Sequence, residues 1–217
     1  MAALLACAAI LGAAALASAA TLAASGGHEA TAASAKRTAA HASCRGAHLR
    51  PNARNARAVD AATLCLINRL RRRHGLRALR ANRALSVVAA SQAKSMVRGD
   101  YFADDRPSGR TPMSLVAVTH YRPSTARIAV GENIAWGTGI DTTPARIVAA
   151  WLTSPPHREV MLDAEYRDAG ISATPMVPAV VRPQGRGATY VIELGTHLAR
   201  LAPDPRKRAG SRARADR

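Results

Sequence analysis

Aromatic side chains are scarce in this chain: one Phe, two Trp and four Tyr among 217 residues. Single-stranded nucleic acid is gripped by stacking on such rings. Neither zinc-finger spacing nor the aromatic, glycine-rich strand of an RNA-recognition fold is present, so nucleic acid is disfavoured as a partner. Acidic residues are also few, 14 Asp and Glu against 31 Lys and Arg, which leaves a net charge of +17. An exported chain with that excess first meets anionic lipid head groups and acidic wall polymers, and these are its expected partners at the cell envelope. Also missing are a G-x-S-x-G elbow, an H-E-x-x-H helix, a phosphate-binding loop and a Cys-x-x-Cys pair. Familiar hydrolases and nucleotide enzymes are therefore disfavoured.

Cysteine is limited to three positions. Cys7 falls in a run without charge, AALLACAAILGAAALASAATLAA at 2–24, which contains the Ala-x-Ala signal Ala17-Ser18-Ala19. This reads as a signal peptide over 1–19 and predicts a secreted, extracellular protein. The run is also long enough to stay in the membrane as an anchor, which would hold the chain at the envelope. Alanine partitions weakly into lipid, so cleavage is favoured. Cys44 and Cys65 then remain as an even pair in an oxidising compartment, and a disulfide is the simple reading. It would close a loop of about 20 residues and stabilise the fold by about 3 kcal/mol. Two separate thiols are the alternative, because sequence does not bring the Cα atoms within bridging distance.

Residues 20–57 are rich in Ala, Ser, Thr, Arg and His without apolar periodicity and read as a disordered basic linker. His28, His41 and His48 lie there at irregular spacing without acidic neighbours, a poor pattern for a metal. The stretch PDPRKRAGSRARADR at 203–217 reads as a disordered basic tail. One domain, 58–202, is left between them, expected to act as a monomer.

Helix signals fill the first part of that domain. Asp60 is the expected cap of a helix running through Leu66 and Leu70 to Gly75, with Arg71-Arg72-Arg73 in its last turn, where cations suit the helix dipole. Asn82 caps a second helix with Leu85, Val88, Ala89, Gln92 and Met96 on one stripe, ending at Gly99. Thr111-Pro112 opens a third, with Leu115 and Val118 on one side. Thr143-Pro144 opens a fourth, with Ile147, Val148, Trp151 and Leu152 inward. Ser154-Pro155 is a fresh cap and first turn, so a short fifth helix follows at once. Beyond Arg167 the period changes: AGISAT (169–174) and TYVIEL (189–194) are short β-branched runs joined through PQGRG, a hairpin pattern. Helices first and strands late predict an α+β sandwich rather than alternating βαβ units.

Three polar positions carry what chemistry the sequence offers. Asp104 lies in YFADDRPSGRTP, Glu132 in GENIAWG and His157 in WLTSPPHREVML. Two carboxylates and an imidazole converging in space can bind a metal or share a proton. His157 falls at the third position of the helix opened by Ser154, where the positive end of the dipole favours a neutral ring. Structural roles are the alternative. Glu132 is expected to bond to its surroundings, with His157 as its nearest partner, and Asn133 to stabilise a turn.

In order, LCLINRLRRRHGLRALRANRALSVVAASQAKSM, YFADDRPSGRTP, GENIAWGTG, WLTSPPHREVML and YRDAGISA resemble the bacterial branch of the CAP superfamily, the SCP/PR-1-like extracellular domain. The resemblance covers about residues 60–197. It implies a three-layer α-β-α sandwich and a central cleft where histidines and acidic residues meet, in some members around a divalent metal. By motif, Glu132 matches the family's G-E-N-[IL] glutamate and His157 the histidine of S-P-x-H-R. Asp104 stands where the family usually has histidine, Ser154 where eukaryotic members often have a second glutamate, and Ile192 where many relatives have glutamine. Asp104, Glu132 and His157 remain a ligand set for Zn, Mg or Ca, with zinc weakened by the exchange of a nitrogen for an oxygen. A cleft of Asp104, Glu132, Ser154 and His157 that binds a small-molecule, lipid or peptide ligand without catalysis is the expected function. A metal-assisted hydrolase or peptidase and a basic adhesion protein of the envelope surface are the alternatives.

Overall fold

The computed structural model describes residues 43–121 and 127–198. The expected signal peptide, the expected linker before residue 43 with His28 and His41, and the expected tail lie outside the described residues. Among these residues the chain runs α1 (Ala56–Arg73), β1 (Arg80–Ala81), α2 (Arg83–Gly99), α3 (Pro112–Ala117), β2 (Arg127–Thr138), α4 (Pro144–Thr153), α5 (Pro155–Leu162), β3 (Asp168–Thr174) and β4 (Gly187–Leu198). The strands form one mixed sheet in the order β1-β3-β4-β2, parallel between β1 and β3 and antiparallel elsewhere.

Strand alternation divides the core between the two faces of this sheet. Tyr190, Ile192 and Leu194 of β4 join Ile171 and Ala173 of β3 in a cluster with Val59 and Ile67 of α1, Ile147 and Trp151 of α4 and Met161 of α5. Val191 of β4 and Ile134 of β2 face the other way, onto Ala89, Ala93 and Met96 of α2. Leu115 and Val116 of α3 close that second layer with Leu85 and Val88. The result is the expected α+β, α-β-α sandwich.

Several local expectations hold. Asn82 caps α2, its Oδ1 accepting from the Leu85 N–H at 3.2 Å, and the whole predicted stripe of that helix is buried. Thr111 caps α3 by accepting from the Ser114 N–H at 3.2 Å. Trp151 is 2% exposed and donates its Nε1–H to the Ile134 carbonyl at 3.0 Å. Cys44 and Cys65 form a disulfide with Cα atoms 5.7 Å apart.

Others are corrected. Residues 43–57, expected within the linker, are anchored to the folded unit at Cys44 and Ala47, both buried, and the Ala47 carbonyl accepts from the Ala145 N–H at 2.9 Å. Turns pack through small residues without periodicity, so no apolar pattern announces them. Asp60 is no cap. The helix starts at Ala56, and Asp60 within it accepts from the Ala173 N–H of β3 at 2.8 Å. The buried positions of α1 are Val59, Ala62, Thr63, Ile67 and Arg71, with Leu66 and Leu70 only partly covered. Arg71 does not sit in solvent at a helix end; it is fully buried. In α3, Val116 turns inward and Val118 is 74% exposed.

GENIAWG forms no turn. It is the middle of the twelve-residue strand β2, in register with β4 along its whole length. Asn133 sits in that strand, and its Nδ2–H donates to the His157 carbonyl at 2.8 Å. Contiguous polar and apolar residues hide strand alternation when each face packs on a helix layer.

Candidate functional site

The strand β2 lies at one edge of the sheet. Along it Glu132, Ile134 and Trp136 share the face that Ile134 packs against α2. Directly opposite Glu132 in β4 stands Glu193. Cross-strand neighbours hold their Cβ atoms about 5 Å apart, so two carboxyl groups are pressed together over the α2 layer. Glu193 is 0% exposed. All four carboxylate oxygens of the pair are buried, and none receives a hydrogen bond from another group among the described residues. Two ionised carboxylates only accept, so a proton shared between them is what satisfies this geometry.

The electrostatics agree. Burial raises the Glu132 carboxyl far above its ordinary value, and the Glu193 carboxyl and the charge of Asp104 add to it, while Arg106 opposes. Burial raises Glu193 as well; Asp104 adds to the rise, whereas the bond from Glu132 and the charge of Arg106 moderate it. Partial burial raises Asp104 too, with His157 pulling it down and Asp105 pushing it up. The three carboxyls therefore sense one another, and Arg106 supplies the nearby fixed positive charge.

Gln92 of α2 fixes the loop that brings Asp104 and Arg106 to this place. Its Nε2 donates to the carbonyls of Ala103 and Asp104 at 3.0 and 2.8 Å, and its Oε1 accepts from Arg106 Nε at 2.9 Å. Arg106 also donates through Nη2 to Ser91 Oγ at 2.9 Å. Ser154 and His157 come from the break between α4 and α5. Ser154 occupies the cap position, but its Oγ is bonded to His157 Nδ1 at 2.6 Å instead of to a backbone N–H. The Asn133 side chain ties the His157 carbonyl to β2. At the far end of the same face Trp136 is 39% exposed.

The structure thus gathers Asp104, Glu132 and His157 near the open edge of β2, but not in the expected pairing. Glu132 faces Glu193, not His157, whose ring is engaged with Ser154. No group of three His, Cys, Asp or Glu side chains converges closely enough for a metal ion among the described residues. Ser154 is engaged with the imidazole of His157. Ile192 points to the other face, into the α1 and α4 core. Its neighbour Glu193 turns to the α2 side instead, opposite Glu132. Gln92, Arg106 and Glu193 escaped the sequence reading. Glu193 was legible in principle, as the one acidic residue in the apolar run TYVIEL.

The family model for the cysteine-rich secretory protein family, CAP, matches residues 64–175, just over half of the chain. A curated relative, the uncharacterized protein YkwD of Bacillus subtilis, is 30% identical over 106 residues, which are 49% of this chain and 38% of that protein. This chain therefore spans well under half the length of the relative it matches. Among solved structures, an outer surface protein from Borrelia burgdorferi is similar with a TM-score of 0.49 and 21% identity, over 62% of this chain and 90% of that one. An extracellular protein containing an SCP domain from Bacillus anthracis is similar with a TM-score of 0.46 and 22% identity, over 64% and 39% of the two chains.

Proposed function

We propose, from the premise that this chain belongs to the cysteine-rich secretory protein (CAP) family, that it is an extracytoplasmic binding protein whose acidic cleft receives a ligand through a cationic or hydrogen-bond-donating group. One observation carries the reading: the four buried carboxyl oxygens of Glu132 and Glu193 have no hydrogen-bond partner among the described residues. Buried polar groups without partners are rare and cost stability, so their retention calls for a use. Asp104 at the rim, the Ser154–His157 pair and the exposed Trp136 ring give the same edge further polar and apolar contacts. The disulfide favours an oxidising compartment outside the cytoplasm. The charge of +17 favours residence against anionic envelope polymers or lipids.

The test is calorimetry on the full chain with short lysine- or arginine-containing peptides, and separately with Zn²⁺, Mg²⁺ and Ca²⁺, beside Glu132→Gln and Glu193→Gln. Peptide binding that weakens about tenfold or more in both folded variants supports the reading. Binding that is absent, or indifferent to both substitutions, overturns it. A metal that binds and is lost in the same variants would replace the organic cation by an ion.

The carboxyl pair also favours a second reading, hydrolysis. Two acids whose titrations are driven apart provide a proton donor and a proton acceptor side by side. Peptide cleavage that vanishes in either Gln variant while binding persists would establish it.

A further inference from the structure

At the sheet edge away from β2, β3 loses its ladder partner early. β1 pairs only Arg80 with Asp168 and Ala81 with Ala169, and α2 begins at Arg83. The first turn of α2 then presses on β3 at Gly170, where a Cβ would lie 2.0 Å from the backbone of Leu85 and Ser86. Beyond this contact no described strand lies beside the outer edge of β3.

That edge is still armed with backbone groups. The Ala169 carbonyl faces outward, since it accepts from the Asn82 N–H at 2.8 Å. The Ala173 N–H faces outward as well, since it donates to Asp60 Oδ1 at 2.8 Å. By the two-residue period of a strand, Ile171 between them turns its own N–H and C=O the same way. Into this gap opens a cavity of about 570 Å³ bordered by Arg57, Asp60, Ala61 and Leu64 of α1, Ala81 of β1 and Ile171 of β3. Its volume falls in the range of small-ligand sites. Asp60 makes no ion pair among the described residues, and burial lifts its carboxyl to about 6, which leaves it charged at neutral pH.

We propose that this cavity is a second ligand site, separate from the acidic cleft, that takes the amino-terminal end of a short extended peptide with small apolar side chains. The peptide continues the ladder that β1 abandons. One amide of the ligand pairs with the N–H and C=O of Ile171, as in recognition by strand addition. The ligand's ammonium group lies at Asp60, the one carboxylate on the wall. Ala61, Leu64 and Ala81 supply an apolar lining that admits alanine- or valine-sized side chains and crowds larger ones.

The experiment uses the full chain and trialanine, with N-acetylated trialanine as the control that keeps the amides but loses the ammonium. Binding is read by calorimetry and by amide resonance shifts of Ile171 and Ala173. The expected result is saturable binding of trialanine, weakened about tenfold or more by acetylation and by Asp60→Asn. Ala61 is exposed on the wall of the cavity, so Ala61→Trp should fill the site without loading the core and abolish binding. Glu193→Gln should leave it unchanged. Failure of trialanine to bind, equal binding of the acetylated peptide, or full binding by a folded Ala61→Trp chain would overturn the proposal. So would a loss confined to Glu193→Gln, which would move the peptide to the cleft.

Discussion

Arg71 and the Glu132–Glu193 pair are withdrawn from water on opposite faces of one sheet, and the protein treats them in opposite ways. Arg71 is 0% exposed, yet its Nε donates to the Arg77 carbonyl at 2.9 Å, Nη1 to those of Met161 and Asp163 at 2.8 and 2.9 Å, and Nη2 to that of Tyr166 at 3.3 Å. The guanidinium thereby clips the end of α1 to the exit of α5 and the approach to β3. Its ionisation is lowered by burial and by Arg167 and supported by Asp163. The carboxyl pair has burial without such a shell. A buried charge ringed with acceptors is architecture, whereas buried acids left without donors strain the fold where a ligand or a reaction can use them.

The largest expected effect comes from breaking the satisfied pole. Arg71→Met keeps apolar volume but takes the donor from the Arg77, Met161 and Asp163 carbonyls, while that of Tyr166 keeps Arg167 Nη1 at 3.0 Å, and an orphaned buried group costs about 1–3 kcal/mol. A loss of about 4 kcal/mol is expected, read as a drop in the urea midpoint. A loss below about 1 kcal/mol would show that the carbonyls find water and would erase the contrast.

Relieving the unsatisfied pole should act with the opposite sign. Both carboxyls are raised in the folded chain relative to the unfolded one, so the folded state binds more protons. Their contribution is complete below the ordinary glutamate range, about pH 4.3, and is lost as pH rises through the raised values. Glu193→Gln removes the single charge that the pair carries at pH 8 and lets the amide donate to Glu132. A gain of about 1–2 kcal/mol at pH 8 is expected, with a flatter fall of stability from about pH 4 upward. Urea titrations across that range decide it, and a destabilised, equally steep variant would refute the shared-proton account.

The smallest effect concerns the strap between the regions. Asn133→Ala removes one side-chain bond to the His157 carbonyl and should cost about 1 kcal/mol. Because it frees the α5 start that carries His157, the histidine ring resonances should shift more than those of Arg71's neighbours. Equal shifts at both would mean that the two faces are coupled more tightly than their separate clusters imply.

The fold was more legible than the site. Caps at Asn82 and Thr111, the α2 stripe and the late hairpin rest on local chemistry, and the order of motifs supplied the family. The site was half legible: Asp104, Glu132 and His157 stand near one edge, yet their partners were misassigned. Glu193 lies 61 positions beyond Glu132 and meets it only through the register of β2 with β4. Arg106 and Gln92 are joined across a loop by side-chain bonds that no periodicity encodes.

By itself the sequence determined the basic charge, the even cysteine pair, the helix starts after Asn82, Thr111, Thr143 and Ser154 and the family motifs, because each depends on composition or on residues a few positions apart. Tertiary structure decided that Asp60 guards a strand edge, that Arg71 is a buried clip and that two glutamates share one place. Those outcomes depend on which strands become neighbours and in which register, and a shift of one residue would have turned Glu193 away from Glu132 and Ile192 toward it.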